Sequence, residues 1–240
     1  NDYAEGSWLT HIVSDLCKVK LASGIGSLDI FDTLIKNINA CIRVKLPYMA
    51  CFSSQRDLLS QWRGYADGGK GIAIGFERSV LEQSMLDFFQ SELPSNPGYS
   101  SGLAKVFYST TADLEPWLSP ELDKVTQHNY VDAARGLSEF ALLFKNPSFS
   151  EENEWRIVAV PKRNLFASGW EIVHPALKVQ LRFRPVAKGV SSYFEIPSTN
   201  SAIQDVVLGP LNKSETDDVV AFLANKLGRR IQVSRSAATY

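Results

Sequence analysis

The apolar positions of the chain change period several times. Trp8, Leu9, Ile12, Val13 and Leu16 recur at helical spacing, and Leu28, Phe31, Leu34, Ile35 and Ile38 repeat the pattern. Tyr48–Ser53 is a short apolar run of strand length. Asp57 stands where an N-cap would open a short helix carrying Leu58, Leu59, Trp62 and Tyr65. The turn Asp67-Gly-Gly-Lys-Gly71 then leads into Gly71–Phe76, which reads as a buried strand. Residues 79–89 are patterned as a helix, the Pro/Ser/Gly-rich stretch 94–102 as a loop, and 105–108 as a strand. Ser119-Pro120 is placed to open a long helix reaching Phe144, with proline at its first position.

Beyond it, 155–160, 178–184, 192–196 and 203–208 read as strands. A helix near 214–227 follows Gly209-Pro210, with Ser214-x-x-Asp217 as its capping box and Gly228 as its stop. Ile231–Val233 closes the pattern. Strands and helices come in mixed order. The expected fold is α+β: a single domain over 1–240 with a mixed or antiparallel sheet flanked by helices.

Composition narrows the class. The 240 residues are 45% hydrophobic and 21% charged, with a net charge of −1. These are globular values that favour neither a nucleic-acid coat nor a membrane surface. There is no apolar run of roughly 18 residues, as a transmembrane helix requires. The start Asn-Asp-Tyr-Ala-Glu-Gly lacks the basic and apolar regions of a signal peptide. Cys17, Cys41 and Cys51 are odd in number and nowhere spaced C-x-x-C. That fits a reducing compartment, and the expected location is cytoplasmic. His11, His128 and His174 lie far apart, so no metal centre is expected.

Two segments concentrate the candidate chemistry. In CFSSQRDLLSQWRGYADGGKGIAIGF (51–76), Ser53 and Ser54 end a strand, where hydroxyls can hold a ligand's polar edge. Trp62 and Tyr65 follow on a helix, where a ring can stack on a planar ligand. The bland alternative is a capped turn and two core aromatics. In FKNPSFSEENEWRIVAVP (144–161), Glu152, Glu154 and Arg156 are spaced by two and share one face of a strand, with Trp155 and Ile157 on the other. Carboxylates so spaced are expected to repel each other's negative charge, with the guanidinium opposing that effect. Here the bland alternative is a solvated edge with a weak ion pair. Arg182, Arg184 and Lys188 make a basic strand face that reads as solvated.

On Asn1-Asp-Tyr-Ala-Glu5, the two quoted segments and the tail VVLGP (206–210), the chain resembles the bacterial family DUF2971. That family's pattern in turn looks like a remote ADP-ribosyltransferase. The resemblance implies that Phe52-Ser53-Ser54 is the second-strand motif and that Glu152-Asn153-Glu154 is the Glu-x-Glu, with Glu154 catalytic. It also implies a first strand upstream of the Asn-Asp motif, which the 1–240 sequence lacks.

Three readings follow. The first is an NAD-consuming enzyme, an ADP-ribosyltransferase or NAD glycohydrolase of the toxin or phage-defence kind, passing ADP-ribose to a protein, a nucleic acid or water. NAD is its co-substrate, Glu154 and Glu152 are catalytic, and Ser53, Ser54, Trp62, Tyr65 and Arg156 bind the cofactor. The second is a non-enzymatic binding or sensor module of a defence system, with a protein partner. The third is a metal-dependent nuclease built on Glu152 and Glu154.

Overall fold

The computed structural model describes residues 6–45, 48–92, 101–159, 164–166, 169–171, 182–186, 189–193, 195–196 and 199–239. The Asn1–Glu5 motif, His174, Lys188 and most of the expected loop 94–102 lie outside the described residues. So does the expected strand 178–184 up to residue 181.

The elements run α1 (Ser7–Ala22), α2 (Leu28–Lys45), β1 (Tyr48–Ser53), α3 (Leu59–Tyr65), β2 (Ile72–Phe76), α4 (Arg78–Glu92), β3 (Ser101–Lys105), β4 (Phe107–Tyr108), α5 (Thr111–Asp123) and α6 (Tyr130–Phe140). There follow β5 (Phe144–Lys145), β6 (Glu154–Ala159), β7 (Asn164–Phe166), β8 (Gly169–Glu171), β9 (Arg182–Val186), β10 (Gly189–Tyr193), β11 (Ile203–Leu208), α7 (Thr216–Leu227) and β12 (Gln232–Arg235). Short 3-10 turns occupy 141–143, 147–152 and 199–202. Helices and small antiparallel and mixed sheets alternate, which makes the fold α+β. The chain forms two compact units, residues 1–51 with 98–174, and residues 52–97 with 175–240.

The first unit has a helical core. Leu9, Ile12, Val13 and Leu16 of α1 meet Phe31, Leu34 and Ile38 of α2 and Leu114, Leu118 and Leu122 of α5. These spacings of three and four put each set on one helix face, which is why they condense together. The strand order β1-β6-β3 places β6 at the centre of a three-stranded sheet. β4 lies parallel to β5, setting Tyr108 beside Lys145.

The second unit has its own core, Val206, Leu208 and Ile231 under Val219, Leu223 and Leu227 of α7. β11 runs parallel to β12 through the α7 crossover and antiparallel to β2. The Gly-rich turn after α3 and the Gly209-Pro210 turn interlock. Gly209 N donates to Gly71 O at 3.0 Å, Leu211 N to Gly69 O at 2.9 Å and Asn212 Nδ2 to Lys70 O at 2.7 Å. A Cβ on Gly209 would land inside the contact distance of the Gly69 and Gly71 carbonyl oxygens. Gly209→Ala is therefore expected to destabilise the protein by about 1–3 kcal/mol. A urea midpoint unchanged from wild type would refute it.

Several sequence expectations are corrected. Asp57 caps no helix. Leu58 occupies the N-cap position of α3 without a side-chain bond. The Asp57 carboxylate instead accepts Trp62 Nε1 at 2.6 Å, Ser236 Oγ at 2.5 Å and the Ala237 amide at 2.6 Å, so it ties down the C-terminal tail. β2 is not buried, because it is the edge strand beside β11, and Ile72 and Ile74 stay about half exposed there. Ser119-Pro120 opens nothing. A capping box between Thr110 and Asp113 starts α5 earlier, and Pro116 and Pro120 lie within that helix. The long helix divides, since Asn129 caps the turn at Thr126 and α6 begins at Tyr130. The Ser214 box is absent as well: Glu215 is the N-cap of α7 and makes no side-chain bond. Gly228 does close α7, at φ 67°.

Candidate functional site

Four of the five charged residues of 144–156 come together in the first unit, Lys145, Glu152, Glu154 and Arg156, but not as an evenly spaced strand face. Asn153 adopts the left-handed conformation at φ 44°, which asparagine tolerates better than most residues. That one residue breaks the period of two. Glu152 ends the 3-10 turn, and Glu154 is the first residue of β6. Glu154 and Arg156 then share a face of the central strand.

Both are buried: Glu154 is 5% exposed and Arg156 0%. The Arg156 guanidinium grips the carboxylate with two bonds, Nε to Oε1 at 2.7 Å and Nη2 to Oε2 at 3.0 Å. Its Nη1 donates to Leu142 O at 2.6 Å. Such a forked pair is among the stronger hydrogen-bonded contacts of a protein interior. Lys145, also buried, donates from Nζ to Glu152 Oε2 at 2.5 Å and to Glu154 Oε2 at 3.1 Å. Two cations and two anions thus form a neutral chain, Glu152–Lys145–Glu154–Arg156. The Tyr108 hydroxyl accepts the Glu154 amide at 2.9 Å, and the Cys51 thiol bonds the Glu154 carboxylate. The Phe149 ring lies 5.0 Å from Lys145 Nζ.

The cluster sets its own electrostatics. Burial alone would push the Glu154 carboxyl up. Arg156, followed by the Cys51 and Lys145 bonds, outweighs it and holds the group below its ordinary 4.5. Burial, with Glu154 and Glu152 nearby, pushes the Tyr108 phenol up. A depressed carboxyl pKa gives an unfolded state that binds more protons in the window between the two values, so stability rises with pH there. The Glu154 contribution is complete above 4.5 and is lost as pH falls through the lower folded value. Acid titration of the denaturation midpoint is expected to be steeper below pH 4.5 in wild type than in Glu154→Gln. Parallel curves would remove Glu154 as the cause.

The remaining candidates lie in the second unit. Ser53 ends β1, and its Oγ accepts the Gln55 amide at 2.9 Å, a local turn bond. Ser54 follows on the exposed bend. Trp62 is core, 3% exposed with its indole N–H bonded to Asp57, so its ring offers no face for stacking. Tyr65 is 77% exposed.

Lys145, Tyr108, Cys51 and Phe149 were not singled out by sequence reasoning. Lys145 and Phe149 lie inside the quoted 144–161 stretch, but β4 and β5 must pair before Tyr108 meets Lys145, and no local pattern announces that. Among the described residues no group of three or more His, Cys, Asp or Glu converges as a metal site, and no helix is long and apolar enough to cross a membrane.

Residues 61–157 match the model of a family described as protein of unknown function, DUF2971. The match runs from α3 through β6, so it takes in Trp62, Tyr65, Lys145, Glu152, Glu154 and Arg156. No curated protein and no solved structure matches the chain.

Proposed function

We propose that this protein is an NAD-consuming enzyme, an ADP-ribosyltransferase or NAD glycohydrolase, and that Glu152 is the carboxylate that meets the substrate ribose. The observation that carries the reading is the pair of carboxylates immobilised on one lysine. Glu154 is sealed between Arg156 and Lys145, while Glu152 is the more exposed of the two, at 16% against 7% for their side chains. Glycosidic cleavage passes through an oxocarbenium-like state. The C1′–N bond breaks, its electron pair leaves with nicotinamide, and positive charge develops on the ribose. A carboxylate fixed beforehand stabilises that charge without reorganising. Water or another acceptor then adds at C1′, and its proton passes to Glu152 or to solvent.

In this assignment Glu154 is a positioning residue. It fixes Lys145, and Lys145 fixes Glu152. The test is release of nicotinamide from NAD by the full chain, measured beside Glu152→Gln. Release by wild type but not by the variant supports the reading.

A second reading has its own observation. The four charges neutralise one another, as they would in a purely structural network. On that reading the chain is a non-enzymatic binding module, and neither protein turns over NAD.

A further inference from the structure

We infer that Tyr108 selects for ribose, its phenol donating to the 2′-hydroxyl of the sugar that meets Glu152, an inference that rests on the NAD-consuming reading above. The backbone explains why a hydroxyl stands there. Val106 N donates to Glu154 O at 2.9 Å, which continues the pairing of β3 with β6 to the first residue of β6. Beyond it the chain turns away, and Phe107–Tyr108 pairs with β5 instead. The Glu154 amide then takes its acceptor from a side chain, the Tyr108 hydroxyl at 2.9 Å. A backbone carbonyl would serve that amide equally well but would bring no proton. The phenol brings one, and among the described residues no acceptor takes it.

The surroundings say what that proton can meet. The Tyr108 side chain is half-buried and stands beside Lys145 in the pairing of β4 with β5. The amide that orients its hydroxyl belongs to Glu154, two residues from Glu152. Lys145 offers donors only, and these hold the two glutamates. Burial and the nearby carboxylates push the phenol up, so it is a donor at neutral pH. The site thus offers a charged acceptor, Glu152, and a neutral donor, Tyr108. A hydroxyl matches such a pair, because it donates one bond and accepts others. In NAD the hydroxyl next to the reacting carbon is the one on C2′ of the nicotinamide ribose. Held between the two groups, it donates to Glu152 and accepts from Tyr108, which keeps C1′ at the carboxylate. A sugar lacking that hydroxyl leaves both groups without their partner, and a site built to bond a hydroxyl discriminates strongly against such an analogue.

The experiment crosses two changes on the full chain, with nicotinamide release as the readout. NAD is compared with its analogue lacking the 2′-hydroxyl of the nicotinamide ribose, and wild type with Tyr108→Phe. The intrinsic reactivity of the analogue is the same for both proteins and cancels in the ratio. The preference for NAD in kcat/KM is expected to be about tenfold larger in wild type than in Tyr108→Phe, the effect of one hydrogen bond between neutral groups. A displaced Glu154 amide would slow both substrates alike and leave that preference unchanged. Replacing Tyr108 by O-methyltyrosine keeps an oxygen for the amide and removes only the proton, so it tests the assignment even if Tyr108→Phe fails to fold. It is expected to show the same reduced preference. A preference within about twofold of wild type in either variant would make Tyr108 a partner of the Glu154 amide alone, and would overturn the assignment with the NAD chemistry intact. If wild type releases no nicotinamide, the NAD reading fails and the assignment with it.

Discussion

Arg156→Met is expected to cost the protein about 3–5 kcal/mol, the range for removing one partner of a buried ion pair. The argument rests on what is left behind. Arg156 is fully buried and supplies two bonds to Glu154 and one to the Leu142 carbonyl. Without it, the buried Glu154 carboxylate loses both guanidinium bonds and the positive charge nearest to it, with the Lys145 and Cys51 bonds remaining. The carboxyl must then protonate or admit solvent. Chemical denaturation reads the loss directly. A midpoint shift worth less than about 1 kcal/mol, typical of an exposed pair, would mean that the network is not closed in solution. The double variant Arg156→Met with Glu154→Leu separates charge from packing. Replacing both partners by apolar groups of similar volume is often close to neutral. The double variant is therefore expected to be more stable than Arg156→Met alone.

This expectation changes how Glu154 can be tested. Sequence spacing put Glu152, Glu154 and Arg156 on one accessible strand face and made Glu154 the natural residue to alter. In the folded chain the same spacing, centred in the sheet between β1 and β3, makes Glu154 a buried structural anion. A lost activity in Glu154→Gln would confound chemistry with folding.

What could be read from sequence followed local physics. The helices α1 and α2, β1 over Tyr48–Ser53, the left-handed turn after α3 and the Gly228 stop all rest on period, propensity or glycine geometry within a few residues. The misplaced start of α5 was legible too. Thr110-x-x-Asp113 is a capping box, and it outweighs the proline signal at Ser119-Pro120 because it satisfies helix donors directly. Edge exposure of β2 was not legible, since the sequence of a strand does not say whether a neighbour lies on both sides. The site shows the same division. The carboxylates and Arg156 stand out by spacing, whereas Tyr108 joins them only through the parallel pairing of β4 with β5. Cys51 joins them because β1 lies beside β6 in the sheet, from where its thiol bonds Glu154.

Glu152→Gln is the substitution expected to move activity most while sparing the fold. Its carboxylate is the more exposed of the pair, and its Oε2 shares Lys145 with Glu154. Glutamine is nearly isosteric and still offers an oxygen to Lys145, so the 3-10 turn and β6 are expected to stay in place. What it removes is the negative charge. If that charge faces the developing oxocarbenium ion, nicotinamide release is expected to fall about 100- to 1000-fold, the effect of deleting one preorganised stabilising group. The loss should appear in kcat with little change in KM, because the charge it opposes exists only in the transition state. A fall in NAD affinity at constant kcat would instead place Glu152 in ground-state binding. A rate within about threefold of wild type, under ~0.7 kcal/mol, would remove Glu152 from the chemistry altogether. In that event the four-membered network stands as a device for holding β5 against β6, and the binding-module reading gains the ground the enzyme loses.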